Sequence, residues 1–207
     1  RAAKSLDPTR PVVDSDGLFA REILAGQYDR DTLDLYFAMF AVRDLPLDRP
    51  DKHAFDRPAK PVISHETGNY GTFPRLDAID RFRHNFKPFW LTRVRDRLAA
   101  LGLLDEAPRW AVHSERLYLL CHKLNIEDLR RNPWASGHHW WLLQDYWTGS
   151  NGIVDTYFRP KAGVPAARVR QFNADVVVLQ DGLPQTCRAG DPLRVQLLVS
   201  NYGPRAI

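Results

Sequence analysis

An acidic side chain follows a strand-like run of this chain at the point where the run meets a glycine-bearing turn. In PVISHETGNYG, residues 61–71, Glu66 ends the apolar segment, and Gly68 and Gly71 let the chain turn sharply beyond it. A carboxylate in this position can act as a nucleophile or proton carrier, or it can simply pair with an arginine at a strand end. The local sequence leaves both interpretations open.

Polar and aromatic side chains also end two other strand-like segments. Asp14 and Asp16 close the segment RPVVDSDG, and Trp141 and Asp145 lie in SGHHWWLLQDYWTGSNG. The carboxyl ends of parallel strands meet at one edge of a sheet or barrel, where ligand sites of such folds are found. The sequence therefore predicts a parallel sheet or barrel with a site at that edge.

The elements that would position these side chains alternate between strand and helix along the first three quarters of the chain, as in an α/β domain. A helix is predicted over residues 114–132, because Leu117, Leu120, Cys121 and Leu124 recur at helical spacing opposite charged residues. We expect this apolar face to pack on the sheet. The predicted strands span residues 11–13, 32–41, 61–66 and 136–152.

Composition indicates a globular protein: 44% of the 207 residues are hydrophobic and 26% are charged, and no apolar run approaches the roughly 20 residues that span a bilayer. The net charge is +4, but the cations alternate with acids and apolar residues. This pattern favours solvated helix faces over a nucleic-acid patch. Neither Cys121 nor Cys187 has a thiol or histidine at ligand spacing, so we predict no disulfide, metal or cofactor.

The pattern of apolar and polar residues changes near residue 161. In LRVQLLVSNYG, residues 193–203, apolar residues alternate with mostly polar partners, which is typical of a strand in an antiparallel sheet. Only two or three such strands fit before the last residue, which is too few for an independently stable sheet.

Three segments resemble, in order, the later strands of the catalytic barrel in glycoside hydrolase family 2, the β-galactosidase and β-glucuronidase group. These are SLDPTRPVVDSDG, PVISHETGNYG and SGHHWWLLQDYWTGSNGIVD. The resemblance covers nearly the whole chain. It implies that residues 1–160 form the second half of a (β/α)8 TIM barrel and that residues 161–207 begin an immunoglobulin-like β-sandwich.

The resemblance implies a retaining glycosidase that hydrolyses O-glycosidic bonds by double displacement, with Glu66 as the nucleophile. The second carboxyl group, an acid/base glutamate about 5 to 5.5 Å away, lies in the family shortly before the DPTRP element. It would therefore precede Arg1. We accordingly expect the chain to be a fragment whose N-terminal domains are missing, inactive by itself and poorly folded in isolation.

Six residues are implied to bind the substrate. Asn69 would reach sugar hydroxyl groups, or it is present only because it tolerates unusual backbone angles in the turn. Trp141 would stack on the sugar, or its ring only packs in the core. Asp145 would bind hydroxyl groups or hold a loop. We expect one of Trp140 and Trp141 to face inward and the other to face the helices. The six residues are Asn69, Trp141, Asp145, Asp14, Asp16 and Tyr36.

The sequence departs from the family pattern in two places. Where family members often have a tyrosine that hydrogen-bonds the nucleophile, the simplest alignment offers Phe40, with Tyr36 shortly before it. An aromatic-rich insertion at residues 87–110 is expected to lie over the active-site rim. Strict alternation along the strand would put Glu66 on the face of Val62 and Ser64, and would leave His65 as a packed supporting residue.

Two other classes of protein fit the same residues. One is a catalytically inactive barrel that binds carbohydrate, and the other is a structural α/β domain in which Glu66, Trp141 and Asp145 do not converge. The expected partner is a carbohydrate substrate, with no nucleic acid and no membrane, and the oligomeric state is open. The expected location is periplasmic or secreted from a bacterium.

Overall fold

The structure of this protein is a computed structural model. It describes residues 2–13, 18–19, 34–39, 60–83, 85–133, 135–146, 148–184 and 186–205, and the statements below concern these ranges. None of the helices in these ranges has both the length and the apolar character needed to cross a membrane.

A four-stranded parallel sheet forms the centre of the described chain. Its strands are β1 (Leu18–Phe19), β2 (Tyr36–Met39), β3 (Val62–Thr67) and β4 (Ala135–Trp140). They lie in chain order, β1-β2-β3-β4, and every neighbouring pair is parallel. The predicted strand at 32–41 contains β2, and that at 61–66 overlaps β3. The strand predicted at 136–152 is correct only in its first residues, because β4 ends at Trp140. The carboxyl ends of the parallel strands share one edge of the sheet.

The predicted strand at residues 11–13 is wrong. The N–H of Val12 donates to Oδ2 of Asp34 at 2.6 Å, and the Val12 carbonyl accepts from the Asp34 N–H at 3.1 Å. Because one loop residue satisfies both backbone groups of Val12, that segment does not join the sheet ladder. The first described strand is instead β1.

The helices occupy the connections between and after the strands. They are α1 (Ala2–Leu6), α2 (Phe89–Ala100), α3 (Ala107–Arg131) and α4 (Ala166–Asn173), with short 3₁₀ helices at Leu76–Arg81 and Leu104–Glu106. The predicted helix at 114–132 is confirmed, and it begins earlier, at Ala107. It returns the chain from the carboxyl end of β3 to the start of β4, as a crossover between parallel strands requires.

The predicted inner face of α3 is only partly correct. Cys121 is buried, but Leu117 and Leu120 are 53% and 46% exposed. The buried stripe carries polar side chains beside apolar ones, because residues from other segments supply partners for several of them. The buried residues of α3 include Ala111, Glu115, Tyr118, Cys121, His122, Asn125, Ile126 and Leu129.

An antiparallel hairpin follows α4. Its strands are β5 (Val176–Asp181) and β6 (Gln196–Asn201), paired from Val176 opposite Asn201 to Asp181 opposite Gln196. Val177 and Leu179 are buried, whereas the cross-strand pair Val178 and Val199 is exposed. Alternation has thus identified an antiparallel strand, and the sandwich predicted from residue 161 onward stays a prediction.

Candidate active site

Glu66 lies at the end of β3, where the strand changes its register. The pairing of β3 with β4 shifts between Ser64 and Thr67, and Glu66 takes a φ of 47°. A non-glycine residue in this left-handed region costs roughly 1–2 kcal/mol, and strain of this kind clusters at functional sites. The surrounding structure therefore holds this acid in a conformation that the residue does not favour by itself.

The bulge corrects the prediction of strict alternation. Val62, Ser64 and Thr67 are the buried residues of β3, and the Thr67 hydroxyl donates to Oγ of Ser64 at 2.7 Å. Thr67 therefore takes the buried position expected for Glu66. The Glu66 side chain is instead 26% exposed, so its carboxylate is accessible to a ligand from solution.

The described partner of the Glu66 carboxylate is a histidine. Nε2 of His65 lies 3.5 Å from Oε1 of Glu66, and the His65 ring stacks on His139 of β4 at a centroid distance of 5.8 Å. Within the described ranges no arginine pairs with this carboxylate. His65 fits its predicted supporting role, because the neighbouring strand holds its ring beside the acid.

Backbone hydrogen bonding brings Trp141 to the same strand ends. The Trp141 N–H donates to the Thr67 carbonyl at 3.2 Å, one residue beyond Glu66. Trp140 points to the helical layer, since its Nε1 donates to the Tyr118 hydroxyl at 3.0 Å and its ring stacks on His122 at 4.1 Å. One of the two tryptophans thus faces the helices as expected, and the backbone of the half-buried Trp141 is tied to the end of β3.

Asn69 is exposed and joins two loops. Its Oδ1 accepts a hydrogen bond from Nδ2 of Asn151 at 3.0 Å. The same Asn151 Nδ2 also donates to the Tyr70 carbonyl at 3.1 Å. Positive φ angles in this turn belong to Glu66 and Gly68 rather than to Asn69. The explanation by unusual turn angles therefore does not apply, and Asn69 keeps an exposed amide at the rim.

Asp145 holds a loop. Its Oδ1 accepts from Nζ of Lys161 at 2.8 Å and from the Gly152 N–H at 2.7 Å, and the Lys161 side chain is fully buried. Burial raises the pKa of the Asp145 carboxyl, although the Lys161 ammonium opposes that rise. Since this carboxylate is buried and bonded to a lysine, the structure supports the loop-holding alternative over direct binding of sugar hydroxyls.

Tyr36 lies away from Glu66 along the sheet. It pairs with Val62 at the start of β3, four residues before Glu66, and at ~3.3 Å per residue the two positions are about 13 Å apart along the strand. We therefore leave Tyr36 out of the candidate site. Asp14, Asp16 and Phe40 lie outside the described residues.

Sequence reasoning missed an ion pair that ties the loops around the site to α3. Arg75 donates to both carboxylate oxygens of buried Glu115, at 2.7 and 2.8 Å, and the Gly163 N–H donates to the same carboxylate at 2.9 Å. A Cβ on Gly163 would lie 2.4 Å from Cβ of Glu115, so only glycine permits this approach. These residues are separated by 40 or more positions, and no local pattern points to their partnership.

His122 is packed beneath the turn that carries Glu66. A Cβ on Gly68 would lie 2.4 Å from Cε1 of His122, and the Tyr118 and Trp140 rings lie 4.3 and 4.1 Å from its centroid. The side chain is fully buried, and neither ring nitrogen has a hydrogen-bond partner among the described residues. Burial, with a smaller contribution from His138, lowers the pKa of His122 to about 3.

We expect His122→Phe to remove a pH dependence of stability. Below pH ~6.5 the unfolded chain protonates this histidine while the folded chain does not, so the free energy of unfolding falls by up to about 1.4 kcal/mol per pH unit. The loss continues down to the folded pKa of about 3. Phenylalanine carries no proton and leaves no unpaired ring nitrogen, so the variant should be at least as stable at pH 7 and lose less stability on acidification.

The measurement is urea unfolding of the protein and the variant at pH 7.5, 6.5 and 5.5. The control is His113→Phe, because His113 is an exposed histidine of the same helix. It should leave the pH dependence unchanged. Equal pH slopes for the wild-type protein and His122→Phe would show that His122 is not held neutral by burial.

Comparison with known proteins assigns no family. No family model matches the chain, and no curated protein matches it. The described residues also contain no group of three or more His, Cys, Asp or Glu side chains placed to hold a metal ion. The case for a function therefore rests on the geometry around Glu66.

Proposed function

We propose that this chain is part of a retaining glycoside hydrolase in which Glu66 is the nucleophile. The observation that carries the proposal is a partly exposed glutamate held at a positive φ on the carboxyl end of a parallel strand. That end of parallel strands is where α/β folds place their sites, and strained residues concentrate there. The parallel chain-order sheet is also the arrangement that the second half of a (β/α)8 barrel would have.

In the first step that we propose, the Glu66 carboxylate attacks the anomeric carbon of the sugar. A bond forms between a carboxylate oxygen and that carbon as the bond to the leaving oxygen breaks, and the leaving oxygen takes a proton from a second carboxylic acid. The family resemblance implies that this acid is a glutamate shortly before the DPTRP element. His65, 3.5 Å from Oε1, would help to orient the carboxylate for attack.

In the second step, water attacks the anomeric carbon and gives its proton to the second carboxyl group. The ester bond to Glu66 breaks, and the sugar leaves with its original anomeric configuration. The half-buried Trp141 would offer its ring to the C–H face of the sugar, because its backbone is tied to Thr67 beside the nucleophile. The exposed side chain of Asn69 would form hydrogen bonds with hydroxyl groups of the sugar.

The test is to trap the glycosyl ester. The full-length protein is incubated with a panel of aryl glycosides that carry fluorine at C2, a substitution that slows the hydrolysis of the ester, and its peptides are weighed by mass spectrometry. We expect one glycosyl residue on the peptide that contains Glu66, and none in Glu66→Gln. A glycosyl residue on another carboxylate, or no labelling with any sugar of the panel, would contradict the assignment.

A further inference from the structure

Five aromatic side chains form a continuous cluster that we call the aromatic platform. The Phe82 ring lies 5.4 to 5.7 Å from three of the others, and Trp90 lies 5.3 to 5.8 Å from three of them. Most of these contacts are edge-to-face, a favourable geometry that fixes the rings relative to one another. The platform consists of Phe82, Phe86, Phe89, Trp90 and Tyr157.

The platform is built by the chain segments that follow β3 and β4, including the first residues of α2. Phe82 to Trp90 belong to the connection after β3, and Tyr157 belongs to the connection after β4. Arg159, in the connection after β4, joins the two connections through its ion pair with Asp77 and also pairs with Asp155 of its own segment. Both connections begin at the carboxyl ends of adjacent parallel strands, the end of the sheet at which Glu66 lies.

Part of the platform faces solvent. Phe86 and Phe89 are 48% and 54% exposed, although their rings contact Trp90. A cluster of exposed aromatic rings is a common sign of a binding surface. Rings of this kind stack on the C–H faces of sugars, and a preordered cluster loses little side-chain entropy on binding.

Cations outnumber acids in the segment that carries four of the rings; Asp80 lies just before it, and Asp77 and Asp155 are paired with Arg159. Residues 81–93 carry four cations, Arg81, Arg83, Lys87 and Arg93, and no aspartate or glutamate. The Arg81 guanidinium lies 4.9 Å from the centroid of Tyr157, and Arg93 follows Phe89 by one helical turn. All four cations are exposed, so an anionic ligand on the rings can reach them.

We propose that the aromatic platform binds oligosaccharides of uronic acids. The rings would stack on the sugar faces and the cations would bind the carboxylates, whose two oxygens match the planar fork of arginine. The inference rests on the proposed glycosidase function and adds a substrate class to it: an acidic glycan that extends from the bond cut at Glu66 across the platform.

The test is calorimetric binding with the full-length protein carrying Glu66→Gln, which prevents turnover. The probes are three hexasaccharides with the same β-1,4-glucan backbone: one with a carboxylate at every C6, neutral cellohexaose, and one sulfated at every C6. We expect the carboxylated probe to bind at least about tenfold more tightly than the neutral one, and less tightly as salt is added. Phe89→Ala and the double variant Lys87→Ala/Arg93→Ala should each weaken that binding by about tenfold or more.

The control variant is Leu117→Ala, which removes an exposed apolar side chain from α3 and should leave binding unchanged. Equal affinity for the carboxylated and neutral probes, preference for the sulfated probe, or full binding by Phe89→Ala would each overturn the inference. Selective binding of the carboxylated probe supports the platform even where trapping at Glu66 fails, so the two proposals fail by different measurements.

Discussion

Replacing Glu66 by glutamine in the full-length protein is expected to lower kcat by about four orders of magnitude or more, with little change in Tm. The amide is a poor nucleophile, so the covalent route is lost, and residues of a catalytic unit typically show effects of this size. The folded state should tolerate the change, because the side chain is partly exposed. Hydrolysis of aryl glycosides and a thermal melt measure the two quantities.

Glu106→Gln is the matched control, because Glu106 is a part-exposed glutamate that ends the short 3₁₀ helix just before α3. It should keep full activity. Glu66→Ala supplemented with azide adds a positive signal, since a small anion in the vacated space can attack the anomeric carbon from the nucleophile's side. We expect a glycosyl azide of inverted configuration. Ordinary turnover by Glu66→Gln would refute the role of this residue.

Replacing Lys161 by methionine is expected to destabilise the fold by about 3–5 kcal/mol, because it leaves a buried carboxylate without its counter-charge. Lys161 and Asp145 are both buried, with Nζ and Oδ1 2.8 Å apart. The free energy of unfolding from urea titration measures the loss.

Lys123→Met is the control for this prediction. Lys123 pairs with Glu127 one turn along α3 and is 40% exposed, so its loss should cost no more than about 1 kcal/mol. Adding Asp145→Asn to Lys161→Met should recover part of the stability, because the amide oxygen still accepts from Gly152 without a charge. Equal costs for the two lysine variants would show that the Asp145–Lys161 pair is exposed in solution.

Local patterns were sufficient to find the main elements. The helix at α3 follows from residue spacing within one segment, and β3 follows from a short apolar run that ends in a glycine turn. Helical and strand periods are properties of neighbouring residues, so a single segment reveals them. The same local features pointed to Glu66 as a residue at a strand end.

Other features were decided by residues far apart in the chain. Leucine spacing predicted that Leu117 and Leu120 face the core, but Arg75 and Gly163 supply partners for Glu115 and so allow a polar side chain to be buried on α3. The strand predicted at residues 11–13 fails for a similar reason. Asp34, 22 positions later, forms hydrogen bonds with both the N–H and the carbonyl of Val12, so these groups do not pair with a strand.

The conformation of Glu66 also came only from the tertiary structure. The sequence by itself placed an acid at the end of β3, but the bulge, the positive φ and the stacking of His65 on His139 are seen only in the paired strands β3 and β4. Likewise, the sequence left two roles open for Asp145, binding hydroxyl groups or holding a loop, and its partner Lys161, 16 positions later, favours the second. A local pattern shows which residues can do chemistry, whereas their burial and charge partners depend on segments that only the folded chain brings together.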